Sequence, residues 1–282
     1  MIIDGKQISK EIKLQIKEQV IELKEKYHET PSLAIILVGN DPASETYVRN
    51  KDKAINFVGM EAKVFHLEEN TSEDTILNLI DVLNKDDKIN GILIQLPLPK
   101  HLNTNKIINK VDPLKDVDGL TEVNTGRLAL GANAIVPCTP EGVIKLIEST
   151  NQKIEGKHAV VIGRSILVGK PVAQLLLQKN ATVTMCHSRT KDIQSITKQA
   201  DILVVAIGNP KFIKGDMVKE GAIVIDVGIN RVDGKVVGDV DFDEVNAKAS
   251  YITPVPGGCG PMTITMLINN TIKCFLIQKE NR

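Results

Sequence analysis

Apolar runs and amphipathic stretches alternate along nearly the whole chain. Three runs rich in Ile, Leu and Val cover residues 33–38, 91–96 and 158–163. Such runs are typical of strands that are buried on both faces, as in a parallel sheet. Shorter strands are predicted at 62–67, 182–186, 202–206 and 222–227, and helices at about 7–27, 42–58, 73–85, 140–149, from 169, and 263–277. The alternation predicts an α/β fold, in which a second strand–helix unit begins after about residue 120.

Composition narrows the class of protein. The chain has 282 residues, which is enough for two domains with cores of their own. Its formal net charge is zero, so no basic field points to nucleic acid or to an anionic membrane. No apolar run is long enough to span a bilayer, and the amino end lacks the layout of a signal peptide. We therefore expect a cytoplasmic protein that binds neither nucleic acid nor membrane.

The cysteines add no sign of a metal site. Four of them are scattered along the chain without a C-x-x-C pair, at positions 138, 186, 259 and 274. This spacing argues against structural zinc or a disulfide framework, and it fits a reducing compartment.

A lysine stands on the predicted inward face of the helix that begins at Pro42. Asp41 is a good N-cap, and proline suits the first helical position. At about 100° per residue, one stripe of this helix contains Tyr47, Lys51, Ala54, Ile55 and Val58. Burial disfavours the charged form of an amine, which suits Lys51 to carry protons. The alternative is a lysine whose stem lies along its neighbours while its ammonium group reaches water.

Three more polar residues accompany this lysine in the first half of the chain. Gln95 interrupts an apolar strand, either as an amide bonded to the main chain or as a ligand at the strand end. Asp118 stands near the predicted domain junction, where it serves an Asp-Gly turn or binds a ligand. Tyr47 offers a flat ring for stacking and a hydroxyl group, unless it is a plain core residue.

A strand, a glycine turn and a helix follow one another at 158–171, as in a dinucleotide-binding unit. The turn reads G-x-S-x-x-x-G, with Gly163, Arg164, Ser165 and Gly169, and so meets the usual G-x-G-x-x-G pattern only loosely. Small residues let the main chain approach a pyrophosphate, and free N–H groups at a helix start attract its oxygens. The alternative is an ordinary turn between a strand and a helix.

The end of the next strand favours NADP over NAD. NAD sites usually place a carboxylate there to bind the ribose 2′-hydroxyl, but this chain has Ser188 and Arg189 instead. A hydroxyl and a guanidinium suit a 2′-phosphate, although exposed loop arginines are also common. Gly228 and Ile229 follow another predicted strand, and we expect them to border the nicotinamide because ligands bind at carboxyl strand ends.

A loop rich in proline and glycine precedes the last predicted helix. Prolines restrict the main chain and glycines expose it, so the loop combines rigidity with accessible N–H groups. A binding role is one interpretation, and a purely conformational role is the other. The residues concerned are Pro254, Val255, Pro256, Gly257 and Gly258.

Taken together, these segments resemble the bacterial bifunctional methylenetetrahydrofolate dehydrogenase/cyclohydrolase family. The resemblance covers nearly the full length in the family's order, although no single motif decides it. The matching stretches are 47–51, 95–99, 115–119, 137–140, 163–165 with Val168, Gly169 and Pro171, and 254–258.

The resemblance implies an architecture and an activity. It implies a catalytic, folate-binding domain of residues 1–120 plus 262–282, and a Rossmann-type NADP-binding domain of residues 121–261, with a cleft between them. Family members oxidise 5,10-methylenetetrahydrofolate with NADP and hydrolyse the methenyl product to 10-formyltetrahydrofolate. Their substrates are tetrahydrofolate one-carbon derivatives, and they usually form homodimers.

Residue roles carry over by motif. Lys51, Gln95, Tyr47 and Asp118 correspond to catalytic positions, with Tyr47 stacking on the folate and Asp118 binding the pterin. The matching cofactor positions are Gly163, Arg164, Ser165, Ser188 and Ile229, and the substrate loop is 254–258. Arg189 and Gly228 join the cofactor residues through their places at the strand ends. Cys259 stands where many relatives have valine, and Thr121 where some have histidine.

Three other interpretations remain at this point. One is a dehydrogenase with little cyclohydrolase activity, and another is an NADP-dependent reductase of a different small carbonyl compound. The third is a nucleotide-sensing protein without turnover, which would leave a polar lysine and glutamine without a purpose.

Overall fold

The computed structural model describes residues 1–280, which form two compact units. The first unit contains residues 11–138 and the chain from 264 onward, and the second contains residues 1–10 and 139–263. The domain limits expected from the sequence, 1–120 plus 262–282 and 121–261, stay a prediction, because compact units and functional domains need not divide at the same residue.

The first unit is built on a three-stranded parallel sheet. Its strand order is β2-β1-β3, and Leu33 at the centre pairs with Ala62 on one side and Gly91 on the other. Ile36 of the central strand shares a buried cluster with Ile76 of a covering helix. The elements are α1 (Gly5–Tyr27, which starts in the second unit), β1 (Ser32–Val38), α2 (Pro42–Phe57), β2 (Glu61–Leu67), α3 (Glu73–Lys85), β3 (Gly91–Ile94), α4 (Thr104–Ile108) and α5 (Glu122–Ala129).

Local sequence explains where α2 begins. The Asp41 carboxylate accepts a hydrogen bond from the Ser44 N–H at 2.8 Å, and Pro42 occupies the first helical position. The carboxylate satisfies one of the N–H groups that have no partner inside the helix. Both predictions for this helix start are confirmed.

The second unit contains a five-stranded parallel sheet with the strand order β10-β7-β6-β4-β5. Its central residues, such as Val160 and Leu203, are fully buried. The elements are α6 (Cys138–Glu148), β4 (His158–Ile162), α7 (Gly169–Gln178), β5 (Thr182–Cys186), α8 (Ile193–Thr197), β6 (Ile202–Val205), a 3₁₀ turn (Gly215–Met217), β7 (Ile223–Asp226), β8 (Asn230–Val232), β9 (Lys235–Val237), α9 (Phe242–Asn246), β10 (Tyr251–Ile252) and α10 (Cys259–Glu280, which continues into the first unit).

Several predicted boundaries differ from the structure by one or more residues, and two of the differences have a clear local cause. The strand expected to reach residue 96 ends at Ile94, since Pro97 has no N–H to continue the ladder. The last helix starts at Cys259 rather than near 263, because the glycine-rich stretch already contributes its first turn. The predicted hairpin is confirmed, and both turn residues, Asp233 and Gly234, have positive φ angles of 50° and 75°.

The amino end of the chain completes the second sheet. Ile2 forms a parallel bridge with Ile252 of β10, and the Ile3 N–H donates to the Ile252 carbonyl at 2.8 Å. Among residues 1–280, no helix combines the length and apolarity needed to cross a bilayer.

Candidate active site

A lysine and a glutamine meet at the carboxyl end of the first sheet. The Lys51 Nζ donates to the Gln95 Oε1 at 2.9 Å, and the Gln95 Nε2 donates to the Leu96 carbonyl at 2.6 Å. Gln95 is buried and Lys51 is half-buried. The interpretation of Gln95 as an amide bonded to the main chain is confirmed, and the amide also holds the lysine head group. Its role as a ligand at the strand end stays a prediction.

The inward stripe predicted for α2 is displaced from the observed one. Ser44, Val48 and Ile55 are its buried residues, and Lys51 lies on the same side. Tyr47 is 46% exposed, so the prediction that it faces inward was wrong. At about 100° per residue, Tyr47 lies about 60° from the line through Ser44, at the margin of the buried face. An exposed ring remains available for stacking on a ligand.

The carboxyl group of Asp118 interacts electrostatically with the Lys51 ammonium group. Burial of its carboxyl group raises the pKa of Asp118, while the positive charge of Lys51 lowers this pKa and the nearby Asp116 raises it further. The Cys138 thiol also lowers the pKa of Asp118, and its own hydrogen bond is donated to the Val117 carbonyl at 3.3 Å. Lys51, Gln95 and Asp118 thus form one polar group within the first unit.

The Asp-Gly turn is present as well. Gly119 has a φ angle of 65°, and its N–H donates to the Asp116 carbonyl at 3.2 Å. A Cβ at this position would lie 2.4 Å from the Ile135 carbonyl oxygen. The buried Asn270 holds the same region, because its Nδ2 donates to the carbonyls of Val117 and Val136 at 2.9 and 2.8 Å. The turn and the charged group are therefore parts of one arrangement.

In the second unit, the glycine turn after β4 brings two main-chain segments unusually close together. Gly163 has a φ angle of 120°, and a Cβ there would lie 2.3 Å from the Ala206 carbonyl oxygen. A Cβ on Gly169 would lie 2.1 Å from the Gly163 carbonyl oxygen. The Ser165 hydroxyl accepts from the Val168 N–H at 3.1 Å, and Arg164 is exposed beside it. The exposed turn precedes the start of α7.

The turn after β5 presents two polar side chains to solvent. The His187 N–H donates to the Thr190 hydroxyl at 2.9 Å, and the Thr190 N–H returns to the His187 carbonyl at 2.8 Å. Ser188 and Arg189 occupy the tip of this turn and are exposed. In the part of the chain that the structure describes, Arg189 forms no salt bridge, so its guanidinium is free for an anion.

The loop of residues 254–258 lies with Gly228 and Ile229 in the second unit. These residues, together with Lys6, line a cavity of about 170 Å³ within the second unit. A Cβ on Gly5 would lie 2.0 Å from the Gly258 carbonyl oxygen, so the start of α1 rests directly on the loop. The structure therefore divides the predicted site residues into a side-chain group in the first unit and main-chain loops in the second.

Comparison with known proteins identifies the family. The model of the tetrahydrofolate dehydrogenase/cyclohydrolase catalytic domain matches residues 3–118, and the model of this family's NAD(P)-binding domain matches residues 137–279. The chain belongs to the tetrahydrofolate dehydrogenase/cyclohydrolase family. The resemblance seen in the sequence motifs is thereby confirmed.

Individual relatives agree over nearly the full length. The chain is 56% identical over 273 residues to the bifunctional protein FolD of Bacillus pumilus, covering 96% of each chain. The crystal structure of the bifunctional FolD enzyme from Campylobacter jejuni is 50% identical, with a TM-score of 0.97 over 99% of both chains. The enzyme from Trypanosoma brucei, solved as a complex with NADP and an inhibitor, is 39% identical with a TM-score of 0.94, and the match covers 99% of this chain and 98% of that one. The predicted α/β fold with a Rossmann-type sheet is confirmed.

Sequence reasoning missed two buried carboxylates in this tetrahydrofolate dehydrogenase/cyclohydrolase. Asp226 and Asp239 are 3% and 0% exposed, and each accepts hydrogen bonds from main-chain N–H groups of loops at the carboxyl edge of the sheet. Burial raises the pKa of Asp226 to about 6, against the lowering effect of its main-chain hydrogen bonds. A carboxylate beside a glycine, as in 226–228 and 238–239, is the sequence signal that could have found them.

Two departures from the family pattern prove structural. Thr121 is 1% exposed and caps α5, with its hydroxyl accepting from the Asn124 N–H at 3.3 Å. Cys259 is buried, and burial raises the pKa of its thiol. A buried thiol held in its protonated form resists oxidation, so Cys259 is a small core residue of this enzyme rather than a reactive one.

Proposed function

We propose that the side-chain group around Lys51 serves both reactions of this dehydrogenase/cyclohydrolase. The reactions are the NADP-dependent oxidation of 5,10-methylenetetrahydrofolate to 5,10-methenyltetrahydrofolate and the hydrolysis of that product to 10-formyltetrahydrofolate. The observation that carries the assignment is the 2.9 Å hydrogen bond from the Lys51 Nζ to Gln95, with the Asp118 carboxyl in electrostatic contact with the same lysine. One carbon of the folate reacts in both steps, so one set of side chains can serve them.

Binding and orientation of the folate are assigned to Asp118 and Tyr47. A carboxylate accepts hydrogen bonds from amino and ring N–H groups, which suits Asp118 to hold the pterin. The exposed ring of Tyr47 is available to stack on the aromatic part of the folate. Fixing the face of the substrate is the main contribution to hydride transfer, because reactivity depends steeply on alignment.

Proton transfer during hydrolysis is assigned to Lys51. Water adds to the bridging carbon, and the Lys51 amine takes one proton from this water. The proton is returned to the folate N5 as the bond between N5 and this carbon breaks. The remaining hydroxyl proton leaves to solvent as the formyl C=O on N10 forms. Gln95 keeps the amine in place through its Oε1, while its own Nε2 is fixed on the Leu96 carbonyl. General acid–base catalysis requires such a positioned group within hydrogen-bond reach of the reacting atoms.

The cofactor is NADP, and the second unit supplies the residues that fit it. When bound, NADP accepts the hydride that leaves the bridging carbon. The turn of Gly163, Arg164 and Ser165 precedes the start of α7, where main-chain N–H groups suit a pyrophosphate. Gly163 is buried at its base, and Arg164 and Ser165 are exposed. Ser188 and Arg189, exposed at the tip of the turn after β5, would hold the 2′-phosphate.

The cavity beside β7 is assigned to the reacting ends of the ligands. Gly228 and Ile229 would border the nicotinamide, because ligands of doubly wound sheets bind at the carboxyl ends of the strands. The 254–258 loop, whose residues are Pro254, Val255, Pro256, Gly257 and Gly258, lines the same cavity. Its assignment to the folate is supported by its two prolines, which restrict the main chain. The expectation that its glycines expose the main chain was wrong, because Gly257 and Gly258 are buried.

We also propose that the enzyme acts in the cytoplasm as a homodimer. The edge strand β2 supports the dimer, since Val64 on it is 44% exposed and Phe57 at the end of α2 is 48% exposed. A regular edge strand with exposed apolar side chains is a surface that a second copy can cover. Sedimentation of the wild-type enzyme beside a Val64→Lys variant tests this, with a monomeric variant expected.

One experiment tests the whole assignment. The enzyme is mixed with 5,10-methylenetetrahydrofolate and NADP, and absorbance is followed in the NADPH band and in the methenyl band. We expect NADPH to form while the methenyl signal stays low, because the product is hydrolysed. NADPH with a persistent methenyl signal would indicate a dehydrogenase with little cyclohydrolase activity. No change in either band would point to another carbonyl substrate or to a binding protein.

A further inference from the structure

A fully buried carboxylate ties together two loops of the second unit. The Asp239 Oδ2 accepts hydrogen bonds from the N–H groups of Ile207 and Gly208 at 2.7 and 3.0 Å. Its Oδ1 accepts from the Asn209 N–H at 2.9 Å and from the Asn230 Nδ2 at 2.8 Å. Asp239 itself is 0% exposed, so these four donors surround a carboxylate that water does not reach.

The donors belong to the loops that follow two adjacent strands. Residues 207–209 come directly after β6, and Asn230 comes shortly after β7. These are carboxyl ends of parallel strands, where ligands of such sheets bind. Gly228 lies directly on the same carboxylate, since a Cβ there would be 2.2 Å from the Asp239 carboxyl carbon. The conformation of both loops therefore depends on Asp239.

A second carboxylate fixes the segment that carries the first. Asp226 accepts from the N–H groups of Gly228, Asp239 and Val240 at 2.9, 3.0 and 2.9 Å. A Cβ on Gly238 would lie 1.8 Å from the Asp226 Oδ2. Asp226 thus holds the main chain that carries Asp239, and Gly228 and Gly238 leave room for the two carboxylates.

Burying two carboxylates near each other costs free energy that a purely structural contact would not require. Two carboxylates are buried near each other, and Asp239 is one of the causes that raise the pKa of Asp226 to about 6. Buried charges are often replaced by apolar side chains without loss of stability. Arrangements that cost stability are found where a site has to be held in a particular geometry. Gly228, which lies on Asp239, also lines the cavity beside β7.

We infer that Asp239 is a positioning residue for the nicotinamide half of the cofactor, and that it acts by holding loops 207–209 and 228–230 in the conformation that receives the ring. The inference rests on the proposed placement of the cofactor at this edge of the sheet. The hydrolysis step uses no cofactor. A defect in these loops should therefore lower the dehydrogenase activity and leave the hydrolysis rate unchanged.

The test is Asp239→Asn, which keeps the shape and removes the charge. An amide has one acceptor oxygen, and its NH₂ group would face a main-chain N–H, so the loops lose their common anchor. We expect the Kd for NADP, measured by titration calorimetry, to rise at least about tenfold. The rate of methenyltetrahydrofolate hydrolysis should stay within about twofold of wild type, which a general loss of structure would not allow.

Asp241→Asn is the matched control. Asp241 is also buried, two residues further on, but its carboxylate pairs with Lys214 at 2.8 Å instead of with the loops. We expect its Kd for NADP to stay within about twofold of wild type. Should Asp239→Asn fail to fold, Asn230→Ala removes one donor to the same carboxylate, and a rise in Kd of about threefold with unchanged hydrolysis is expected.

An unchanged Kd for NADP in a folded Asp239→Asn protein overturns the inference, as does a parallel loss of both activities. For the fallback variant, an unchanged Kd has the same meaning. Failure of the proposed function is distinguishable, because the wild-type enzyme itself would then not bind NADP.

Discussion

The two units use different chemical groups at the carboxyl ends of their sheets. In the first unit the groups are side chains, with the Lys51 amine held by Gln95 and facing Asp118. In the second unit they are main-chain N–H groups, shaped by Gly163 and by Gly228, which lies against Asp239. The difference reflects two tasks, since proton transfer needs a titratable group and recognition of phosphates needs fixed N–H donors.

The two arrangements also tolerate substitution differently. A functional side chain such as Lys51 can be replaced without disturbing its helix, because the buried residues of α2 are Ser44, Val48 and Ile55. A glycine pressed against main chain cannot be replaced without moving that main chain. Substitutions of functional residues in the first unit should therefore lower the reaction rate. Substitutions of the glycines in the second unit should change the affinity for the cofactor or the stability of the protein.

The largest effect is expected from Lys51→Met. Loss of the proton-carrying amine should lower the hydrolysis rate by at least about 100-fold, which is the lower end of general acid–base contributions. The melting temperature should change little, because Lys51 is only half-buried. Lys53→Met, on an exposed face of the same helix, is the control and should keep full activity. A Lys51→Met enzyme that hydrolyses methenyltetrahydrofolate at the wild-type rate would refute the role of this residue.

The pH dependence of stability in an Asp226→Asn variant tests whether folding raises the pKa of Asp226. Burial raises the pKa of Asp226 from its ordinary value of 3.8 to about 6, so the folded state holds this proton more tightly than the unfolded chain. Ionisation therefore costs the wild-type protein up to about 3 kcal/mol of stability as the pH rises through this window. The variant lacks this cost, so its stability deficit relative to wild type should shrink between pH 4 and pH 7 in urea unfolding.

The control for this pH effect is Asp241→Asn. The Lys214 ammonium beside Asp241 holds the pKa of that carboxyl below its usual range. Its contribution to stability is present above the unfolded pKa and is lost in acid, so this deficit should grow as the pH rises from acid. Two deficits that change with pH in the same direction would contradict the assignment of a raised pKa to Asp226.

Gly163→Ala should damage oxidation and spare hydrolysis. The new Cβ would lie 2.3 Å from the Ala206 carbonyl oxygen at a φ angle of 120°, so the turn has to move. We expect kcat/KM for NADP to fall about tenfold to a hundredfold, with the rate of methenyltetrahydrofolate hydrolysis nearly unchanged. Gly156→Ala shares the positive φ angle but meets open space, and it should leave both rates intact. Equal losses of the two activities would break the distinction between the units.

The smallest effect is expected from Arg189→Ala. Removing the guanidinium should raise the KM for NADP by about tenfold and leave the KM for NAD nearly unchanged, because only NADP carries the 2′-phosphate. Lys191→Ala, an exposed cation two residues away, serves as the control. If both Michaelis constants of Arg189→Ala rose equally, the preference for the phosphate would have to come from other residues.

Most of the fold followed from local pattern. The strand runs 33–38 and 158–163 and the cap at Asp41 were predictable, because burial on both faces and capping act over a few residues. Lys51 was found on the buried side of its helix by the same periodicity. Tyr47 was misplaced because a residue about 60° from the centre of a helix face lies at its margin, where packing decides the exposure.

The buried carboxylates could not be found in the same way. The hydrogen bonds of Asp239 to Ile207, Gly208 and Asn209 join residues about thirty positions apart, and periodicity carries no information on such contacts. The contact of the 254–258 loop with Gly5, near the other end of the chain, escaped prediction for the same reason.

The bridge between Ile2 and Ile252 has a consequence for biosynthesis. Ile2 is synthesised about 250 codons before Ile252, so this bridge can form only when synthesis is nearly complete. The hydrogen bond from Asn270 to the Val117 carbonyl likewise joins an early segment to a late one. Neither half of the gene therefore encodes a self-sufficient piece. Splitting the reading frame near its middle would give two fragments that each lack a strand or helix carried by the other.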